Sequence, residues 1–237
     1  MTNISVIVPS YRDWNFLSKL VESLYSAEAG CTFELVVIDD QSDNQTRQIM
    51  QKELYGYAHI LRPDERAYFT KSCNLGLGWA RENIGSDYYF LLNSDTLVTP
   101  CWGRALMETS VRMNAGIVGA TLLYPDGKIQ HAGAYGPGQH FGINAPWVRY
   151  KKDRMVPWVT GAALCLSSDA LTRGGILPTK PFHTQYDASD RDYCTLATLN
   201  YNILVAVSAN CIIYHFTHQS QAMREERGEV YPRVKTA

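Results

Sequence analysis

The chain has 237 residues, 46% hydrophobic and 19% charged, and its 22 basic and 23 acidic side chains give a formal net charge of −1. This length is enough for one large α/β domain or two small ones, which bury about 70% of the unfolded surface and need no cross-links. The near-neutral charge argues against a protein that binds nucleic acid through a basic face, because phosphate backbones are bound by clustered Lys and Arg.

The amino terminus and the apolar runs argue against a secreted or membrane-spanning protein. The first residues lack the basic region and the cleavage site of a signal peptide. The apolar run Trp158–Leu166 is far shorter than the roughly 18 residues of a membrane span. The six cysteines form no Cys-x-x-Cys pair, which argues against a zinc site and predicts reduced thiols. We expect a cytoplasmic protein that reaches a membrane only through partners.

In the first hundred residues, short β-branched runs alternate with helical patterns, which predicts βαβ units and a parallel sheet. The predicted strands are Ile4–Val8, stopped by Pro9, then Phe33–Ile38, Ala58–Leu61 and Asp87–Leu92. The predicted helices are one from Phe16 behind an Asp13 cap, one over Asn44–Leu54 and one over Thr70–Asn83. Acidic residues end two of these strands, where ligands of open parallel sheets bind.

The second half departs from this alternation. Further strands are predicted over Gly116–Leu123, Val159–Leu166 and Cys211–Tyr214. Between the first two lies the Gly-, Pro- and His-containing segment Gln130–Arg154, which we expect to be a long loop with a functional role or high mobility. A charged tail begins near Arg224 and is either a surface helix or the start of a linker.

Four segments in fixed order carry the chemistry, namely Val6–Tyr11, Val37–Ser42, Phe90–Asp95 and Asp187–Asp192. Together with Leu123–Gly133 and Val159–Ala162, they resemble the inverting family-2 glycosyltransferases with the GT-A fold, in particular the bacterial O-antigen and rhamnosyltransferase-like branch. The resemblance extends from Ser5 to about Ser220.

The resemblance implies an α/β fold with one central, mostly parallel mixed sheet flanked by helices. It implies a single domain over 1–237, with a nucleotide-sugar donor half (1–100), an acceptor and catalytic half (101–222) and the charged tail (223–237).

A divalent cation is the cofactor that this resemblance implies. Departure of a nucleoside diphosphate leaves negative charge that Mn²⁺ or Mg²⁺ stabilises, and such ions are held by one or two carboxylates with phosphates and water. The family's Asp-x-Asp motif reads Asn93-Ser94-Asp95 here, which leaves Asp95 as the main metal ligand. His215 is the second expected ligand, with His218 competing for the role. The alternatives are a capped turn for Asp95 and a structural role for the histidine.

The same resemblance implies a set of donor-binding residues: Pro9, Ser10, Tyr11, Asp39, Asp40, Arg66, Lys71, Asn74, Asn93 and Ser94. The resemblance implies that the Tyr11 ring stacks on the nucleobase and that Asp40, together with Asp39, accepts a hydrogen bond from the imide N–H of uracil or thymine. That pairing favours UDP- and dTDP-sugars over GDP-sugars. The alternative for the two aspartates is an Asx turn, and Lys71 faces either the diphosphate or solvent.

Inversion requires a carboxylate that takes the proton of the acceptor hydroxyl. The resemblance assigns this base to Asp190, with Asp187 and then Asp192 as fallbacks, because Ser189 stands where the family has Glu. The alternative is that Ser189 and Asp190 only cap a helix that begins near Arg191.

Candidate acceptor-binding residues lie in the second half. The resemblance places Trp158 and Gly161 on the acceptor side. Trp147 is a further aromatic platform for a sugar ring, with core packing as the alternative for both tryptophans. His131 and His140 either face the acceptor or lie in a surface loop.

We therefore expect a metal-dependent inverting hexosyltransferase of polysaccharide biosynthesis, with a saccharide or glycolipid acceptor. A catalytically inactive glycan- or nucleotide-binding module of the same fold is the alternative, supported by Asn93 and Ser189. A sugar-nucleotide nucleotidyltransferase is less consistent with the sequence, since Pro9–Asp13 lacks the glycines of a phosphate loop. A dehydrogenase is excluded because no Gly-x-Gly-x-x-Gly follows the first strand.

Overall fold

The computed structural model describes residues 3–136, 139–179 and 189–216. Six α-helices lie in these ranges: α1 (Trp14–Ser26), α2 (Asn44–Glu53), α3 (Tyr68–Asn83), α4 (Trp102–Met113), α5 (Ser168–Gly174) and α6 (Ser189–Tyr201). The strands are β1 (Asn3–Ser10), β2 (Thr32–Asp39), β3 (Ala58–Leu61), β4 (Tyr88–Leu92), β5 (Thr96–Val98), β6 (Ile117–Leu123), β7 (Ile129–His131), β8 (Ala134–Gly136), β9 (Gln139–His140), β10 (Arg154–Met155), β11 (Ala163–Ser167) and β12 (Val205–His215).

Ten of the described strands form one mixed sheet in the order β10-β12-β6-β11-β4-β1-β2-β3, with β5 on β12 and β7 on β6. The run β4-β1-β2-β3 is parallel, and so are β6 and β12. Strand β11 joins the two groups and is antiparallel to both neighbours. The predicted α/β architecture with a mostly parallel mixed sheet is confirmed.

The alternation of side chains along β1 builds a core on each face of the sheet. Ile4, Val6 and Val8 point into one core, which also contains the buried face of α1 and Trp102 of α4. Ile7 points into the other core, which contains the buried residues of α3 and α6. Because both faces of the central strands are covered, these strands are continuous apolar runs rather than alternating ones.

Strand β1 continues past the proline at which the sequence predicted its end. Its pairing with β4 ends at Ile7, whereas its pairing with β2 continues through Pro9 to Ser10. Pro9 is therefore bordered by one strand only, where a residue without an N–H is tolerated. The extension brings Ser10 level with Asp39 at the carboxyl edge of the sheet.

The prediction of a long loop over Gln130–Arg154 is wrong. The described part of this segment contains the end of β7, the β8–β9 hairpin and a 3₁₀ turn over Trp147–Arg149. A small core of its own holds it together, built on Leu123, Ile129 and Ala132 with Trp147 packed against them. Trp147 thus packs against this small core, which was the alternative to a role as a platform for a sugar ring.

All six cysteines are free, as predicted. Among the described residues, no helix is both long and apolar enough to cross a membrane.

Candidate functional site

A pocket opens beyond the carboxyl ends of β1 and β4. Eight of the residues proposed from the sequence line it: Pro9, Ser10, Tyr11, Asp40, Arg66, Asn93, Ser94 and Asp95. Four residues outside that set also line it, namely Asp13, Tyr68, Phe69 and Ser72, of which the last three lie in the stretch Tyr68–Asn74 that resembles the family's donor-side segment. The Ser72 hydroxyl is buried and has no hydrogen-bond partner within the described residues.

Asp13 connects the two central strands at this edge. The hydroxyls of Ser10 and Ser94 both donate hydrogen bonds to its carboxylate. Asp13 precedes α1, as predicted, but its side chain does not cap that helix. Its role is to hold the loops after β1 and β4 together, which a one-dimensional pattern does not reveal.

Asp40 and Arg66 form one wall of the pocket. Asp40 Oδ1 accepts a hydrogen bond from the Ala67 N–H at 2.6 Å, and Oδ2 accepts from the Tyr68 N–H and from Arg66 Nε, both at 3.0 Å. Tyr68 has φ +57°, in the left-handed region, which a non-glycine residue adopts only when its surroundings enforce it. The Arg66 guanidinium lies 3.3 Å from the centroid of the Tyr11 ring and covers one face of it.

Three of the other proposed donor residues do not line the pocket. Asp39 is almost fully buried, accepts a hydrogen bond from the Ser42 N–H at 2.9 Å and forms an ion pair with Arg62. Asp39 thus has a structural role in a turn, which was the alternative to binding the nucleobase. Lys71 lies on the exposed side of α3. Asn74 exchanges two hydrogen bonds with the main chain of Leu177, at 2.9 and 3.0 Å, and so fixes a connection rather than a ligand. The structure does not bring these three to the pocket that Asp40 lines.

Asp95 and His215 meet at the pocket, although they are 120 positions apart in the sequence. Both are buried, and His215 Nε2 lies 3.2 Å from Asp95 Oδ1 and 3.4 Å from Asn93 Nδ2. The Gln130 amide donates to the His215 carbonyl at 3.3 Å, so its oxygen is the atom 2.6 Å from His215 Nδ1. Nδ1 therefore carries a hydrogen, and Nε2 is the nitrogen that faces Asp95.

This pair fits a divalent cation. Two atoms that bind one ion at about 2.1 Å and at right angles are about 3.0 Å apart, close to the separation of this nitrogen and oxygen. Within the ranges that the structure describes, no third His, Cys, Asp or Glu completes a metal cluster. Two protein ligands would leave the other positions to phosphate oxygens and water, as magnesium-type ions prefer. The competing candidate His218 lies outside the described residues.

Asp190 is held at the first turn of α6. Its Oδ2 accepts from the Gly161 N–H and its Oδ1 from the Arg191 N–H, both at 2.7 Å. A Cβ on Gly161 would lie 3.0 Å from the ring of Phe69, which lines the pocket, and 3.3 Å from Asp190 Cβ. Gly161 therefore lies between Asp190 and Phe69 of the pocket wall.

Of the two fallback bases, Asp192 lies within the described residues. Asp192 is fully buried and lies 3.6 Å from the Arg191 guanidinium, so an acceptor hydroxyl has no access to it. Asp187 lies outside the described residues.

Trp158 packs against two histidines, His131 and His140. The His131 and His140 rings each lie 5.4 Å from the Trp158 ring, and their Nδ1 atoms are 2.9 Å apart. Burial lowers the pKa of His131 to about 3. Burial also lowers the pKa of His140, and the negative charge of Asp190 opposes that shift. The surface-loop alternative is wrong for His131, which is only 3% exposed.

Two known proteins are similar in sequence to long stretches of this chain. A 208-residue stretch, 81% of the chain, is 27% identical to the uncharacterized protein y4gI of Sinorhizobium fredii and covers 22% of it. A stretch of 131 residues, 55% of the chain, is 26% identical to the O-antigen biosynthesis protein RfbC of Myxococcus xanthus and covers 10% of it. The chain thus spans a quarter or less of the length of these relatives.

Solved structures share the fold at low sequence identity. GalNAc-T7 with UDP, GalNAc and Mn²⁺ superposes with a TM-score of 0.69 at 14% identity, over 91% of this chain and 44% of that one. S. aureus TarS 1–349 in complex with UDP-GlcNAc gives a TM-score of 0.64 at 19% identity, over 92% and 59% of the two chains. The fold is the GT-A fold of glycosyltransferases. Residues 5–165, more than half of the sequence, match the family described as "Glycosyl transferase family 2", and the chain therefore belongs to that family.

Proposed function

We propose that the protein transfers a sugar, with inversion, from a nucleoside-diphosphate donor to a hydroxyl of a saccharide or glycolipid acceptor in polysaccharide biosynthesis. The observation that carries this proposal is the Asp95–His215 pair, whose carboxylate lines the same pocket as Asp40 and Tyr11. The pocket would offer a place for a cation and a diphosphate, and Gly161, which donates to Asp190, lies next to Phe69 of the pocket wall.

A uridine donor is supported by the pocket and by the ligands of the solved relatives. GalNAc-T7 holds UDP and TarS holds UDP-GlcNAc. In this chain the Asp40 carboxylate uses three of its about four acceptor positions on Arg66, Ala67 and Tyr68. One position remains for the imide N–H of a pyrimidine base. Tyr11, which lines the same pocket, would supply the stacking surface for the base.

Asp95 and His215 would hold the divalent cation, with Asn93 steadying the imidazole. When bound, the cation offsets the negative charge that the leaving diphosphate develops. The chain's own contribution is to keep this donor set buried, so that the electrostatic interactions are strong in a site with little water.

Asp190 would act as the general base. As the acceptor oxygen forms its bond to the anomeric carbon, its proton passes to the Asp190 carboxylate and the electron pair of the breaking C–O bond leaves with the diphosphate. The hydrogen bonds from the Gly161 and Arg191 N–H groups, together with the amino terminus of α6, favour the ionised carboxylate before the proton arrives.

The test separates an enzyme from a binding module. UDP-, dTDP- and GDP-sugars with Mn²⁺ are screened by thermal shift, since a ligand of the folded state raises Tm. Turnover is then followed as release of the nucleoside diphosphate. Asp95→Ala is expected to lose both the Mn²⁺-dependent shift and turnover, whereas Asp190→Asn keeps the shift and loses turnover by about 100-fold or more.

Asp126→Asn is the matched control, because Asp126 lies in an exposed turn and pairs with Lys128. It should behave as the wild type. Donor binding without turnover across the panel would contradict the enzymatic proposal and favour the inactive module. Stabilisation by GDP-sugars alone would contradict the role of Asp40.

A further inference from the structure

We propose that the protein docks directly on an anionic membrane surface through residues 147–155, here named the basic segment. This segment extends from the 3₁₀ turn over Trp147–Arg149 to β10 (Arg154–Met155), which lies at one edge of the large sheet. The residues that line the donor pocket and those that hold Asp190 are outside it. The inference concerns binding alone and does not depend on the transfer reaction.

The charge of the basic segment is opposite to that of the whole chain. The chain has a net charge of −1, yet four cationic residues lie within six positions here, namely Arg149, Lys151, Lys152 and Arg154. The first three of them are exposed to solvent. A cluster of this kind is attracted to the negative potential of an anionic bilayer.

The one acidic residue of the basic segment, Asp153, does not neutralise this cluster at the surface. Its side chain is only 5% exposed and forms an ion pair with Arg112. It also accepts hydrogen bonds from the Thr109 hydroxyl at 2.7 Å and from the Ala209 N–H at 2.9 Å. These contacts attach the segment to α4 and β12 and direct its negative charge inward, so the charge presented to solvent is positive.

The basic segment is held in shape by its aromatic residues. Trp147 and Tyr150 pack against the small core, and the Tyr150 N–H donates to the Trp147 carbonyl at 2.8 Å. The guanidinium of Arg154 lies 4.8 Å from the centroid of the Tyr150 ring, and its main chain pairs with Val207 in β12. The exposed side chains therefore extend from an ordered support, which lowers the entropy lost on docking.

Exposed apolar side chains flank the cations and distinguish a membrane from other anionic partners. Val148 is 55% exposed and Met155 is 41% exposed. Met155 also lines an apolar groove together with Leu199 of α6, which is 75% exposed. At a bilayer surface, cations contact headgroups while neighbouring apolar side chains enter the acyl boundary. An acidic polymer would satisfy the cations and leave these apolar side chains in water.

Sedimentation of the full chain with lipid vesicles tests the docking. The vesicles are phosphatidylcholine, alone or with about 30% phosphatidylserine, which supplies the negative surface charge. We expect the protein to sediment with the anionic vesicles and not with the neutral ones. About 0.5 M NaCl should weaken the binding strongly, because salt screens exposed charges. Equal binding to both kinds of vesicle, or binding to neither, would overturn the inference.

A triple variant locates the binding surface. Each Lys or Arg near an anionic bilayer strengthens binding by about fivefold, so R149Q/K151Q/K152Q should lower the affinity for the anionic vesicles by about 100-fold. The three side chains are exposed, and the variant should therefore keep the wild-type Tm. Wild-type affinity in this variant would overturn the inference.

The matched control R47Q/K52Q/R81Q makes the same change in net charge. These three residues are exposed on α2 and α3, the helices on either side of β3 in the chain, and β3 lies at the opposite end of the sheet from β10. We expect its affinity to stay within about threefold of the wild type, since charges farther than a Debye length from the bilayer are screened. Equal losses in the two triple variants would mean that net charge, and not the basic segment, determines the binding.

The apolar contribution has its own pair of variants. Val148→Ser should lower the affinity for the anionic vesicles by about 3- to 10-fold, because less apolar surface is removed from water. Leu75→Ser, at an exposed position of α3, should bind like the wild type. If Val148→Ser binds like the wild type, or if the protein binds heparin and not the vesicles, the partner is an acidic polymer and the inference is overturned.

Discussion

At the scale of single residues, Gly161 lies between the proposed base Asp190 and Phe69 of the pocket wall. Its N–H donates to Asp190 Oδ2 at 2.7 Å, and its missing side chain leaves room for Phe69. Any Cβ here would lie 3.3 Å from Asp190 Cβ, which is close to the backbone of α6 and has little freedom to move. The position of the Asp190 carboxylate therefore depends on the main-chain N–H of Gly161 and on the absence of a side chain at that residue.

We predict that Gly161→Ala lowers turnover by about tenfold or more while donor binding is kept, since a small misplacement of a reacting group is costly. The residues at the Asp40 side of the pocket are not touched by this change. The comparison is between steady-state UDP release and the Tm shift that the donor with Mn²⁺ produces. Wild-type turnover in this variant would contradict the proposed role of Asp190.

At the scale of elements, the seat of α3 on the sheet depends on Gly76. A Cβ at this position would collide with the side chain of Ile7 and would lie 2.8 Å from Ile38 Cδ1. Both isoleucines are fully buried in central strands and cannot move aside. Gly78, two residues further along the same helix, is different, because a Cβ added there would meet no atom within 4 Å among the described residues.

We predict opposite effects of alanine at these two positions. Gly76→Ala should destabilise the protein by about 1–3 kcal/mol through overpacking, whereas Gly78→Ala should stabilise it by roughly 0.5–1 kcal/mol because glycine disfavours a helix interior. Urea unfolding of both variants measures the difference. Equal stability of the two would mean that α3 is not packed on β1 and β2 as described.

The elements that could be predicted are those with a strong local signal. Ala58–Leu61 was predicted with the bounds that the structure has, and the strand cores before Asp39 and Asn93 are continuous apolar runs. The strands β7, β8 and β9 are only two or three residues long, so no periodicity reveals them. The helices α4 and α5 were not predicted. A chain-order pattern thus finds the central strands and misses the short strands that bury His131.

At the scale of the whole molecule, the candidate site is assembled by topology. Asp95 and Asp190 were proposed from motifs, but the contact of Asp95 with His215 exists because β12 pairs with β5, the strand that follows Asp95. The role of Asp13 as the junction of two hydroxyls likewise depends on β1 and β4 being neighbours. The residue types could be predicted from local sequence, and the partners of Asp39 and Asn74 could not, because those partners come from distant segments.

The buried neutral state of His131 makes the stability of the whole fold depend on pH. Its pKa is lowered to about 3 by burial, whereas in the unfolded chain it is about 6.5. Between these values the unfolded state binds one more proton, so the free energy of unfolding falls as the pH is lowered below 6.5, by up to about 1.4 kcal/mol per pH unit. The lowered pKa of His140 acts in the same direction.

We predict that His131→Asn reduces the pH dependence of the free energy of unfolding between pH 6 and pH 4.5 by the contribution of about one proton. The variant should also be less stable at pH 7, because it loses packing against Trp158. The measurement is the urea-unfolding free energy across a pH series. His59→Asn is the matched control, because that ring is exposed at β3, outside the cores. An unchanged slope in His131→Asn would show that burial does not lower the pKa of His131 in the folded protein.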